Sequence, residues 1–137
     1  MGKKLSGGCI CGAMRYETEA DPVVMVNCHC RDCQRATGSG YAPFVIVPKA
    51  AVKVTGEPRF YRTVGDSGGA VDRGFCPTCG AAVIARLERL PDIVGISAAS
   101  LDDPSVYEPS LDIFTASAQP WHAMLANTQK KPRALAD

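Results

Sequence analysis

Seven cysteines fall into three tight clusters along this chain of 137 residues. "GGCICG" carries Cys9 and Cys11, "NCHCRDC" carries Cys28, Cys30 and Cys33, and "FCPTCG" carries Cys76 and Cys79. Cysteines this crowded read as metal ligands or redox groups before they read as disulfides. The knuckle "CPTCG" directs two thiolates at one ion from a tight turn, and Gly80 behind it permits a positive φ. A redox Cys-x-x-Cys usually opens a helix, whereas "DRGF" before this one and glycine after it suit a hairpin knuckle. "CICG" supplies a second pair, because alternation on an extended segment puts Cys9 and Cys11 on the same side. Cys-x-Cys is also too tight for an ordinary disulfide between its own thiols. Together the first and last clusters give four thiolates, the set of a closed structural zinc site.

Cys28, Cys30 and Cys33 remain. Three thiolates without a fourth match a zinc site that keeps an open position, as catalytic sites do. The alternative is a second structural zinc closed by His29, His122 or a carboxylate. His29 lies between two ligands and on an extended segment points away from them. The expectation is therefore two zinc ions, one structural and one catalytic. Iron–sulfur clusters take the same soft donors, but seven thiolates do not fill two ordinary four-cysteine clusters. Free cysteines can also simply be buried in a core, a reading that three such clusters disfavour.

The remaining sequence predicts a mainly β, single-domain protein over 1–137, with its core at about 7–122 and a polar C-terminal tail. Short alternating or β-branched runs, "AMRYETE", "VVMVN", "YAPFVIVP", "AVKVTG", "PRFYRTV", "AVDRGF", "DIVGISAAS" and "SLDIFT", read as strands. "CRDCQRATGSG" reads as a turn or two of helix ended by Gly38 and Gly40. "CGAAVIARLERL" allows an amphipathic helix, but Val83 and Ile84 after a knuckle favour a strand. "DSGG" and "LDDPSVYEP" carry turn residues, the latter with Asp side chains bonding local backbone. With 15 basic and 14 acidic residues and no basic run, nothing points to nucleic acid. No run of about 18 apolar residues predicts a membrane span. "MGKKLSGG" lacks the apolar run of a signal peptide, so the expected compartment is cytoplasmic. "MGKKLS" matches the myristoylation pattern at Gly2 and Ser6, a match short enough to arise by chance.

An open three-thiolate zinc suits a further sulfur ligand. A thiol entering it loses its proton and becomes a positioned nucleophile, for which an aldehyde is a fitting electrophile. Nothing like "HExxH" supports hydrolysis.

"GGCICGAMRY", "CHCRDCQRATG", "FCPTCGA" and "SLDDP", in this order, resemble the glutathione-dependent formaldehyde-activating enzyme family, also called the Gfa or centromere-protein-V-like family. The resemblance spans roughly Gly7 to Trp121. It implies a β-tent of short antiparallel sheets organised around zinc. It implies structural zinc at Cys9, Cys11, Cys76 and Cys79, and catalytic zinc at Cys28, Cys30 and Cys33. It also implies a carbon–sulfur lyase that makes S-hydroxymethylglutathione from the partners glutathione and formaldehyde. Family members often carry His before an Ile-Phe pair, where this chain has Asp112. Arg31, Arg35 and Arg73 are candidates to hold the carboxylates of glutathione. Asp32 fits a helix cap, Trp121 and Phe114 fit core or pocket, and His29 fits a bond that orients the zinc loop. The competing readings are a non-enzymatic zinc-binding interaction module with two closed sites, and a thiol redox or zinc-buffering protein.

Overall fold

The computed structural model describes residues 4–65 and 68–135. Gly2 of the myristoylation pattern, Asp66 and Ser67 of "DSGG" and the last two tail residues lie outside these.

Strands dominate. β1 (Leu5–Gly8), β2 (Arg15–Thr18) and β3 (Val24–Cys28) lead into the short α-helix α1 (Arg31–Thr37). β4 (Ala42–Pro48), β5 (Val52–Thr55), β6 (Arg59–Val64), β7 (Ala70–Phe75), β8 (Ala82–Leu87) and β9 (Ile93–Ser97) follow. β10 (Leu111–Ile113) and β11 (Gln129–Lys130) complete the described elements. α1 stops at Gly38, which takes the left-handed conformation and donates its N–H to Gln34. The segment 82–87 is a strand: Val83, Ile84 and Ala85 are all buried, so both of its faces are covered. β1 and β11 are two short strands that the sequence patterns did not reveal.

β1, β2 and β5 form a three-stranded antiparallel sheet. The other strands form an eight-stranded sheet in the order β11-β10-β3-β4-β9-β8-β7-β6. This sheet is mixed, which corrects the expectation of purely antiparallel sheets: β10 runs parallel to both β3 and β11. Parallel neighbours need a long crossover. Residues 114–128 provide it between β10 and β11, and all of 29–110, including α1 and β4 to β9, lies between β3 and β10. The polar tail thus contributes an edge strand, and Phe114 and Ala116 bond the backbone of Arg133 and Pro132.

β4 explains how the core is organised. Its run "APFVIVP" is apolar throughout because both faces are covered. Val45 and Val47 belong to a cluster with Met14, Tyr16, Cys76, Val83, Val94 and Ile96, against which Cys9 and Cys79 pack. Ala42, Phe44 and Ile46 belong to a second cluster with Val26, Cys28, Cys33, Leu111 and Ile113. Fully burying each Val or Ile contributes about 1.5–3 kcal/mol. The loop after β9 is fastened to the small sheet by Asp102, whose carboxylate accepts from Arg15 at 2.9 and 2.5 Å and from Ser6 at 2.9 Å. Asp102 therefore ties two sheets together rather than closing a local turn, whereas Asp103 does bond the nearby Ser105 backbone.

Candidate metal centres

The seven cysteines are all free thiols and lie in two groups. Cys9, Cys11, Cys76 and Cys79 form one; within it all four sulfurs lie within 4.8 Å of one another. Cys9 Sγ to Cys11 Sγ and Cys11 Sγ to Cys76 Sγ are both 3.7 Å. Four sulfurs placed tetrahedrally at about 2.3 Å from one zinc lie about 3.8 Å apart, so the donor set fits the ion. The two halves are built alike. Gly12 and Gly80 take positive φ of 82° and 79° behind their cysteines. Peptide N–H groups then point at sulfur: Met14 N–H to Cys9, and Thr78 and Cys79 N–H to Cys76. Such donors stabilise the thiolate. The Met14 bond lowers Cys9 below its ordinary value, and the Ala81 backbone helps pull Cys79 down to about 6. At Cys11 the Ala13 backbone acts downward, but burial and the neighbouring sulfurs push the thiol up to about 11.

Cys28, Cys30 and Cys33 form the second group. Cys28 ends β3, Cys30 caps α1 by accepting from the Cys33 N–H at 3.2 Å, and Cys33 lies in the first helical turn. The cap is thus Cys30 and not Asp32. Bonds from Cys28 and Cys33, together with the Cys33 N–H and the charge of Arg73, hold the Cys30 thiol far down, at about 2. Cys28 is raised well above its ordinary value, chiefly by its bonds to Cys30 and Cys33. Cys33 is raised to about 11: the Cys28 bond acts downward, but Cys30 and burial prevail. Three sulfurs this close together are a soft donor set that suits a cation. Among the described residues no Cys, His, Asp or Glu atom joins the three as a fourth ligand.

His29 points away from the sulfurs, as alternation predicts. It is fully buried, and its Nε2 lies 2.7 Å from Asp112 Oδ1. An ionised carboxylate only accepts, so His29 donates. Burial raises the Asp112 pKa, but donors from His29, Thr128 and Asn27 bring it below its ordinary value. Lys130 stands 3.4 Å from the same carboxylate. Asp112, where the resemblance suggests His, therefore anchors the loop from the neighbouring strand. Gln34 adds a second latch, donating from Nε2 to the carbonyls of His29 and Ser117 at 2.8 and 3.0 Å. The sequence offered no sign of it.

His122 does not join the cysteines; its ring stacks on Tyr41 at 4.7 Å and lies 5.5 Å from His29. Arg31 bonds Gln34 within α1 and Arg35 is exposed. Arg73 does reach the site, its Nη1 lying 3.5 Å from Cys33 Sγ. Phe114 packs on the second core cluster, whereas Trp121 is 70% exposed and fills no core. A cleft of about 720 Å³ is lined among others by Cys9 of the first group and by Ile10, Thr37, Tyr41, Phe44 and Arg73.

A profile described as glutathione-dependent formaldehyde-activating enzyme matches residues 4–117. The chain belongs to the glutathione-dependent formaldehyde-activating enzyme family. That match includes all seven cysteines. No curated protein matches significantly. Among solved structures, a Rhodobacter sphaeroides protein superposes with a TM-score of 0.57 at 24% identity, over 71% of this chain and 87% of that one. That similarity concerns the fold. Membership supports a formaldehyde- and glutathione-related function in general, and the two cysteine groups are consistent with zinc. No described helix is long and apolar enough to cross a membrane.

Proposed function

We propose that this chain is a zinc-dependent carbon–sulfur lyase that joins a small thiol, glutathione or a relative, to formaldehyde or a related aldehyde. The single observation behind this reading is the three-cysteine group without a fourth protein ligand among the described residues. It stands next to an arginine that borders a cleft. Cys9, Cys11, Cys76 and Cys79 hold the structural zinc, and the fold is the family's β-tent. Cys28, Cys30 and Cys33 hold the catalytic one. A zinc bound there would supply an open position and lower the pKa of a thiol that entered it. The chain's residues do the rest. The Cys33 N–H and the Arg73 guanidinium hold two of the sulfurs in place. Asp112 and Gln34 fix the loop through His29. In the overall reaction the thiol sulfur bonds the aldehyde carbon, and the carbonyl oxygen takes a proton from solvent to give the S-hydroxymethyl adduct. Seven free thiols suit a reducing, cytoplasmic compartment.

The test is carbon-13 exchange NMR on labelled formaldehyde and glutathione, which also combine without a catalyst. Acceleration of the exchange by the zinc-loaded protein, lost in Cys30→Ser, is expected. No acceleration with both sites loaded would refute the reading and favour the interaction module with two structural zincs.

A further inference from the structure

Arg73 occupies a position that the metal-ligand pattern does not explain. It lies on β7 opposite Ala85 of β8 and Tyr61 of β6. Among the described residues it is the one Arg, Lys, Asp or Glu lining the cleft. None of Cys28, Cys30 and Cys33 lines that cleft, whereas Arg73 both lines it and reaches the Cys33 sulfur. Among the described residues, the Cys33 contact is the one hydrogen bond of this side chain, and its Nε is buried without a partner. A buried arginine donor left unpaired is costly. Burial works against its charge, yet attraction to Cys33, Cys30 and Cys28 raises its pKa overall.

A divalent zinc with three thiolates carries one net negative charge. A fourth anion entering such a centre meets repulsion, whereas a neutral ligand does not. We infer that Arg73 balances the charge of the three-cysteine centre and so makes its open position selective for an anionic sulfur ligand over a neutral donor. This rests on the reading of that centre as open. The incoming thiol binds as thiolate and its proton leaves to solvent; no further reactant is needed.

The experiment uses the full chain with cobalt(II) in place of zinc, whose visible absorption reports the donor set directly. Wild type, Arg73→Gln and Arg73→Lys are titrated with 2-mercaptoethanol and, separately, with imidazole, each normalised to bound cobalt. In Arg73→Gln the affinity for the thiol should fall by roughly tenfold or more, as expected for one partly screened unit charge. Imidazole affinity should hold or rise, and Arg73→Lys should keep most of the thiol affinity. An equal loss for both ligands would make Arg73 a brace for the loop and overturn the inference. Unchanged thiol affinity would overturn it as well. If the wild-type centre takes up neither ligand, the open position itself is absent and the functional reading fails with it. Uptake of both by wild type with no Arg73 effect removes only this inference.

Discussion

His29 Nε2 and Asp112 Oδ1 meet at 2.7 Å with both side chains fully buried, although 83 residues separate them. The bond joins the loop that carries three cysteines to a strand running parallel to β3. The His29 N–H also donates to Ile113 at 3.0 Å, so backbone and side chain fasten the same residue to β10.

Removing one partner of a buried charged hydrogen bond leaves the other unpaired. Asp112→Ala should cost about 3 kcal/mol of stability. Asp112→Asn, which keeps an acceptor oxygen, should cost about 1 kcal/mol. Urea unfolding of the metal-loaded protein measures both. Asp112→Ala should also weaken metal binding at Cys28, Cys30 and Cys33 more than at the four-cysteine group.

The two cysteine groups should lose metal separately. Cys76→Ser and Cys30→Ser should each lower bound zinc from about two ions per chain to about one, as counted by elemental mass spectrometry. Cys76 is fully buried within the core cluster that spans the two sheets. Its variant should therefore lose several degrees more in melting temperature than Cys30→Ser.

Gly80 isolates a purely conformational cost. Its φ is +79°, and a Cβ there would meet nothing within 4 Å. Gly80→Ala should destabilise by about 1–2 kcal/mol through backbone strain alone. Gly80→Asn should cost less, because Asn tolerates the left-handed region. Thermal unfolding of the zinc-loaded forms distinguishes the two.

Acid should release the clamp at Asp102. The Arg15 guanidinium, with help from the Ser6 hydroxyl, lowers its carboxyl from 3.8 to about 2. A folded value below the unfolded one gives stability that is full above about pH 4 and disappears as pH falls through about 2. Carbon-13 titration of the carboxyl group should show half-protonation near pH 2, and Asp102→Asn should flatten the stability profile across that window.

The cysteine clusters were legible because metal ligation is written in local spacing: two or three residues set which sulfurs converge. The division into four and three followed from the count, and the structure groups the same residues. Most strands were legible because each has one or both faces covered. Arg73 meeting Cys33 across 40 residues, and Asp112 meeting His29, depend on how strands from distant segments are ordered in the sheet, which no local pattern encodes. In "SLDIFT" the hint was present: an Asp between buried Leu111 and Ile113 must find a partner, but the sequence does not say which. β11 was illegible because two polar residues carry no periodicity, and their strand exists through backbone pairing with β10 alone.

β4 turns alternate residues toward different interiors, Val45 and Val47 to one and Phe44 and Ile46 to the other. Along one short segment, odd and even positions thus answer to separate constraints. Changes of volume at 44 or 46 can accumulate around the three-cysteine centre while the packing beside Cys76 stays as it was. The chain can therefore remodel its chemistry on one side of a strand and inherit its scaffold intact on the other.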